Sequence, residues 1–243
     1  MAQFLITPDA VTDGTVTLHG DEAKHLVKVL RHKVGDTLFL SDGKNQYKAK
    51  ITDIGFKEAS LKILEQHAFV QKAKPPTLAI SLLKHDHFEL VLQKGVELGV
   101  VEFLPFISER TIPHYHESAT PKKLERFQKI AREAAKQSGG VVIPKVHALR
   151  TWQSLLQNLK DFSDTLLFWE EEEEAHTFHS IFKGIDSSQL LLVVGPEGGF
   201  TKAEVMQAEK AGAKRASLGQ QILKCETAAL VTITLCQYEL GNI

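Results

Sequence analysis

Leu190-Leu191-Leu192-Val193-Val194-Gly195-Pro196-Glu197-Gly198-Gly199-Phe200-Thr201 decides the architecture of this chain. The apolar run shows no alternation, which predicts a strand over Gln189–Val194 that is buried on both faces, as in a parallel sheet. A glycine-rich turn follows. Thr201 with Glu204 then predicts a capping box that opens a helix over Lys202–Ala211. Strand, turn and helix in that order are the repeating unit of an α/β layer. In such sheets ligands bind just beyond the carboxyl ends of the strands, and three glycines allow a ligand close to the backbone. The turn is not a phosphate loop. It lacks Gly-Lys-Ser/Thr and the GxGxxG spacing, and Glu197 would repel a phosphate. Backbone amides and carbonyls without a cation suit a neutral adenine and ribose. A purely structural turn is the alternative.

The same texture extends to both sides. Strands are predicted at Leu78–Leu83, Val101–Ile107, Thr165–Trp169 and Ala216–Leu218, and helices at Phe88–Leu98, Pro121–Gln137 and Ile222–Leu240. Gly99 stands where a helix C-terminus favours glycine. Upstream the pattern changes. Phe4–Ile6, Val16–Leu18, Thr37–Leu40, Tyr47–Ile54 and Ser60–Leu64 read as short strands, with an Asp42-Gly43 turn. One helix begins at Gly20-Asp21, with Ala23, Leu26, Val27 and Leu30 at helical spacing. Short strands with one helix predict a small β-barrel. Lys72-Ala73-Lys74-Pro75-Pro76 is a stiff linker. The domains expected are therefore residues 1–72 and 73–243.

The chain has 243 residues, enough for one small and one medium domain, with 43% hydrophobic and 24% charged residues. The longest apolar runs are far too short to span a bilayer. The N-terminus Met1-Ala2-Gln3-Phe4 has no signal-peptide pattern. A cytoplasmic location is expected, with Cys225 and Cys236 as reduced thiols. Lys plus Arg total 29 and Asp plus Glu 30, so the net charge of −1 excludes a general nucleic-acid coat. Local basic faces remain.

Two such faces exist. On a helical wheel Lys122, Arg126, Lys129, Arg132 and Lys136 share one arc, opposite Leu124, Phe127, Ile130, Ala131, Ala134 and Ala135. Glu125 and Glu133 lie within the arc, so intrahelical ion pairs compete with phosphate contact. The first helix carries Lys24, Lys28 and Arg31, and Lys48 and Lys50 share one side of a strand. Two faces in two domains suggest a clamp on folded RNA, which is recognised largely by shape and phosphate position.

Nothing else points to catalysis by metal or covalent nucleophile. His85/His87 and His114/His116 lack the further ligands a metal site needs. There is no GxSxG, and Cys225 has no neighbouring histidine. No metal is expected.

Taken together, the motifs resemble the ribosomal RNA small subunit methyltransferase E family. The matching residues are Gly195-Pro196-Glu197-Gly198-Gly199, Leu218-Gly219 with Ile222-Leu223, and Glu226-Thr227-Ala228 in the last third. Lys84, Gln93-Lys94, Glu97-Leu98-Gly99, Ser108-Glu109-Arg110, Ala134, Gln137-Ser138 and Pro144 match in the middle. His25, Val29-Leu30-Arg31, Gly35-Asp36 and Asp42-Gly43 match near the N-terminus. The resemblance runs from about Phe4 to Gly241. It implies an N-terminal PUA-like β-barrel that binds RNA, followed by a SPOUT-type α/β domain with a C-terminal trefoil knot. It implies a homodimer that uses S-adenosyl-L-methionine to methylate N3 of a specific uridine in 16S rRNA of the small ribosomal subunit.

By the resemblance, the cofactor would lie among Phe168, Trp169, Gly195, Pro196, Glu197, Gly198, Leu218, Gly219, Ile222 and Leu223. Arg110, Lys224 and Glu226 would serve catalysis. Lys24, Lys28, Arg31, Lys84, Lys94, Arg126 and Lys129 would contact RNA. The chain departs from the family where Pro-Arg is usual and Gln220-Gln221 stands, where Arg is usual and Lys224 stands, and where Thr is usual and Cys225 stands. Gly140 and Val142 stand where arginines are typical. These losses of positive charge support a rival reading: a catalytically weakened RNA-binding or ribosome-assembly factor that keeps the fold.

Overall fold

The computed structural model describes residues 3–69, 73–112, 120–170 and 178–243. The chain divides into two compact units. One comprises residues 1–70 with 135–143, and the other residues 71–134 with 144–243.

The first unit is a six-stranded mixed sheet. Its strands are β1 (Gln3–Leu5), β2 (Val11–Thr12), β3 (Thr15–His19), β4 (Thr37–Ser41), β5 (Asn45–Ile54) and β6 (Glu58–Ala68), in the order β1-β4-β5-β6-β3-β2. Only the β1–β4 pair is parallel. Residues of alternating polarity turn one face inward, so Val16, Leu18, Leu38, Leu40, Ala49, Ile51, Ala59 and Leu61 form the core. The helix expected after Gly20 is two pieces: α1 (Gly20–Lys24) and a π-helical turn (His25–Val29) that buries Leu26. Asp42 organises the β4–β5 turn. Its carboxylate accepts from the amides of Lys44 (2.8 Å) and Asn45 (2.6 Å) and from the Tyr47 hydroxyl (2.6 Å). Burial alone would raise its pKa, but these hydrogen bonds outweigh it and hold the group down to about 2.

The second unit is a seven-stranded, wholly parallel sheet. It contains β7 (Thr77–Ser81), β8 (Glu102–Ile107), β9 (Lys145–Val146), β10 (Arg150–Thr151), β11 (Asp164–Phe168), β12 (Leu190–Val194) and β13 (Lys214–Ala216). The order is β10-β8-β7-β12-β11-β13, with β9 also on β8. β12 is buried at every residue, as its unbroken apolar run predicts. Leu191 and Val193 pack with Trp152, Leu155, Phe200, Val205 and Ala208 on one face. The opposite face is covered by α2 (His87–Glu97) and α7 (Cys225–Glu239). Gly95 makes that packing possible, because a Cβ there would lie 3.0 Å from the Phe103 ring and 3.5 Å from Ile233. Each fully buried large apolar side chain contributes about 1.5–3 kcal/mol.

Several elements differ from expectation. The strand expected at Ala216–Leu218 lies at Lys214–Ala216, because β11 pairs with those residues and Gly219 (φ +112°) turns the chain away. The last helix starts at Cys225 rather than Ile222, since Lys224 is extended (φ −62°, ψ 150°). Short helices at α4 (Trp152–Gln157) and α5 (Phe178–Phe182) were not expected. α3 (Thr120–Ser138) matches its prediction in place but not in its basic face. Lys136 is buried and paired with Glu22, so it does not join the outward arc. α6 (Lys202–Lys210) starts with the expected capping box. His114/His116 and the glutamates at 171–174 lie outside the described residues.

Candidate cofactor cleft and its surroundings

Three strand ends create the site. Register aligns Phe168 of β11 with Val194 of β12 and with Ala216 of β13, so three adjacent strands stop at one level. The segments that leave them converge on a cleft. Its walls are Phe168-Trp169-Glu170, Val194–Glu197 with Gly199-Phe200, and Ser217–Leu223 with Cys225 and Ala228. Most of the residues expected to bind a cofactor lie on these walls: Phe168, Trp169, Gly195, Pro196, Glu197, Leu218, Gly219, Ile222 and Leu223.

Gly198 stands behind the wall, where a Cβ would lie 3.1 Å from that of Arg110. The glycines of this turn have a different reason from the one expected. A Cβ at Gly195 would lie 2.9 Å from the Phe200 ring, and one at Gly199 (φ +67°) would strike the Glu170 carboxylate. Their bareness admits neighbouring side chains rather than an external ligand. Gly219, at positive φ with open space around its Cα, is the one that leaves room for a guest.

The turn is clamped by neighbouring strand ends. Gly199 N–H donates to Pro196 O (2.9 Å) and closes it. The Lys84 amide, just beyond β7, donates to Glu197 Oε1 (2.7 Å). The Arg110 guanidinium, just beyond β8, donates to Gly198 O (2.9 Å). Glu204 is buried and uses both carboxylate oxygens, one for the Thr201 amide (2.9 Å) and the other for the Glu109 amide (2.8 Å). Its helix cap therefore also fixes the Ser108–Arg110 segment.

The cleft is electronegative. Among the described residues its walls carry Glu170 and Glu197 but no lysine, arginine or histidine. Cys225 senses this field: burial first, then Glu197, Glu226 and Glu170, push its thiol up to about 12. The indole N–H of buried Trp169 has no hydrogen-bond partner among the described residues, and such a group normally has one. A guest with a positive centre and hydrogen-bond acceptors fits this donor and acceptor set, whereas a polyphosphate does not.

Of the residues expected to serve catalysis, Lys224 is the exposed N-cap of α7, and its carbonyl accepts from Ala228 N–H (2.8 Å). Glu226, in the first turn of α7, is 15% exposed and lies 3.8 Å from His87 Nδ1. Arg110 is held on the glycine turn. Of the residues expected to contact RNA, Lys24, Lys94 and Arg126 are ion-paired with Asp21, Glu97 and Glu89. Lys28, Arg31 and Lys129 are exposed, and Lys84 is partly buried. Sequence reasoning missed Glu170, Ser217 and Cys225 as wall residues. The adjacency of Glu170 to Trp169 was the available signal, but the glutamate run hid it. Among the described residues no group of three metal-ligating side chains converges.

A protein-family model described as an RNA methyltransferase domain matches residues 71–237, and one described as an RNA methyltransferase PUA domain matches residues 18–64. Ribosomal RNA small subunit methyltransferase E of Bacillus subtilis is 32% identical over 231 residues, spanning 93% of this chain and 90% of that protein. The protein of the same name from Mesomycoplasma hyopneumoniae is 35% identical over 65% of this chain and 67% of its own. The crystal structure of ribosomal RNA small subunit methyltransferase E from Neisseria gonorrhoeae bound to S-adenosyl methionine superposes with a TM-score of 0.86. It is 30% identical and covers 98% of both chains. With the family model covering the whole parallel-sheet unit up to the last helix, and full-length relatives above 30% identity, this chain belongs to the ribosomal RNA small subunit methyltransferase E family of RNA methyltransferases.

Proposed function

We propose that the protein transfers a methyl group from S-adenosyl-L-methionine to N3 of a uridine in 16S rRNA. The observation that carries this reading is the cleft at three aligned strand ends whose charged wall residues are carboxylates. A sulfonium-bearing nucleoside is drawn to such walls, while ATP is repelled. When bound, S-adenosyl-L-methionine supplies an electrophilic methyl carbon, so the chain needs no metal to activate it.

The chain's residues then have distinct tasks. Glu170 and Glu197 stabilise the donor's positive charge, and the buried Trp169 N–H offers a hydrogen bond. Gly195, Pro196, Leu218, Gly219, Ile222 and Leu223 enclose the adenosine by backbone and apolar contact. Arg110 keeps the Gly195–Gly199 turn in shape through Gly198 O. Lys224, exposed at the start of α7, steadies the negative charge that develops on the uracil ring or its phosphate. The target base enters unstacked. Lys28, Arg31 and Lys129 hold flanking phosphates, with Lys24, Lys84, Lys94 and Arg126 contributing where RNA displaces their present partners.

Several finer points belong to the same reading. Residues 1–72 act as the RNA-binding barrel and residues 73–243 as the SPOUT-type methyltransferase domain, with the chain through the last third forming a trefoil knot. The enzyme works in the cytoplasm as a homodimer. Exposed Leu235 and Tyr238 on α7 support a second copy at that helix. The test is mass spectrometry of 16S rRNA from a strain that lacks the gene. Loss of a single N3-methyluridine, restored by the cloned gene, is expected. An unchanged methylation pattern would overturn the reading.

A further inference from the structure

The uridine N3 carries a proton that must leave as the N3–C bond forms, and among the described residues the walls of the cleft offer it only Glu170, Glu197 and the Cys225 thiol. Just outside the walls stands a second arrangement. His87 opens α2, and its Nδ1 is buried without a hydrogen-bond partner among the described residues, 3.8 Å from Glu226 Oε2. The side chain is 41% exposed while Nδ1 is buried, which leaves Nε2 as the nitrogen to meet a substrate. Neither residue lines the cleft, but both adjoin its walls through the chain. Glu226 follows the wall residue Cys225. His87 ends a turn whose first residue, Lys84, donates its amide to the wall residue Glu197, and the His87 amide closes that turn onto Lys84 O (3.3 Å).

The segment is built with strain. His85 takes φ +52°, a left-handed conformation rare outside glycine, which sets the two imidazoles 6.2 Å apart at a steep mutual angle. A histidine with one nitrogen near a largely buried carboxylate can serve as an oriented general base.

We infer that His87, oriented by Glu226, accepts the N3 proton of the target uridine. This rests on the methyl-transfer reading above. The N3–H bond breaks and its proton moves to His87 Nε2. The electron pair left on N3 bonds the methyl carbon. The carbon–sulfur pair stays on sulfur, leaving a neutral thioether, and His87 later returns its proton to water. Glu226 is a positioning residue: its negative charge, 3.8 Å from Nδ1, favours the tautomer that carries the proton there. The charged groups around His87 are Glu226 from α7, His85 and Lys84 from its own turn, and Asp86 and Glu89 beside it. Glu89 is engaged by Arg126 of α3.

The experiment is single-turnover methyl transfer to small-subunit RNA across pH 6–9, with wild type, His87→Gln, His87→Ala and Glu226→Gln, alongside one measurement independent of turnover. For wild type the rate rises with pH and levels off once His87 is neutral. His87→Gln lowers the neutral-pH rate about 100-fold, and the remaining rate climbs with pH throughout, because it depends on uridine ionised in solution. Added imidazole restores part of the rate of His87→Ala, and S-adenosylhomocysteine affinity by calorimetry is unchanged in all variants. Folded His87→Gln with wild-type rate and pH profile overturns the inference, as does absence of imidazole rescue, or Glu226→Gln with the wild-type rate and pH profile. Wild type that transfers no methyl overturns the parent reading instead.

Discussion

At the scale of single residues, Lys224 separates binding from chemistry. It is exposed at the mouth of the cleft yet not part of its walls, so it can act on the RNA base without touching the donor. Lys224→Ala is expected to cut turnover at least tenfold while leaving S-adenosylhomocysteine affinity nearly unchanged. Paired steady-state kinetics and calorimetry check this, and equal loss of both would remove the role. The position illustrates what a sequence exposes at this scale. Gly195–Gly199 and Leu218-Gly219 stand out because glycine beside a strand end has few uses. Glu170 and His87 do not stand out, because a glutamate in a run of glutamates, or one histidine of a pair, looks like solvated surface. Only the strand register that brings Phe168, Val194 and Ala216 level, and the approach of α2 to α7, gives them neighbours.

At the scale of elements, the Asp42 turn couples barrel stability to acid. The folded pKa of this carboxylate lies at about 2, below its ordinary 3.8. A depressed carboxylate stabilises the fold above the ordinary value and loses that contribution as pH falls through the folded one. Denaturant midpoints are therefore expected to fall between pH 3.8 and about 2 in wild type, and Asp42→Asn to flatten that portion of the curve. A parallel fall in the variant would assign the acid loss elsewhere.

The last helix makes a second element-scale case. α7 buries Ala229, Thr232, Ile233, Cys236 and Gln237 but leaves Leu235 and Tyr238 exposed. Wild type is expected to elute as a dimer by light scattering, and Leu235→Glu with Tyr238→Glu as a monomer. A monomeric wild type contradicts the assignment. Sequence patterning located this helix because its fifteen residues are largely apolar and include no glycine or proline. It misplaced the helix start because nothing local tells a loop that lines a cleft from a first helical turn. The basic arc of α3 failed at Lys136 for a related reason. Its partner, Glu22, is remote in sequence, so no wheel contains it.

At the scale of the whole molecule, a net charge of −1 makes RNA binding a matter of a few exposed cations. Affinity for small-subunit RNA is expected to fall steeply with salt. Alanine at Lys28, Arg31 or Lys129 should each reduce the logarithmic salt slope by about 1. A slope that none of the three changes would place the RNA on another face. The overall class, short strands followed by alternating strands and helices, was legible because each period reflects one-sided or two-sided burial. Strand order was not, since parallel neighbours such as β11 and β13 are far apart in sequence.

The account stands on the acidic cleft holding a sulfonium nucleoside. Calorimetric titration of the purified protein with S-adenosylmethionine, S-adenosylhomocysteine and ATP tests it most directly. One site per chain for the first two, abolished by Gly195→Val and unaffected by excess ATP, is the predicted result. No heat with either donor form, or displacement of the donor by ATP, would contradict it.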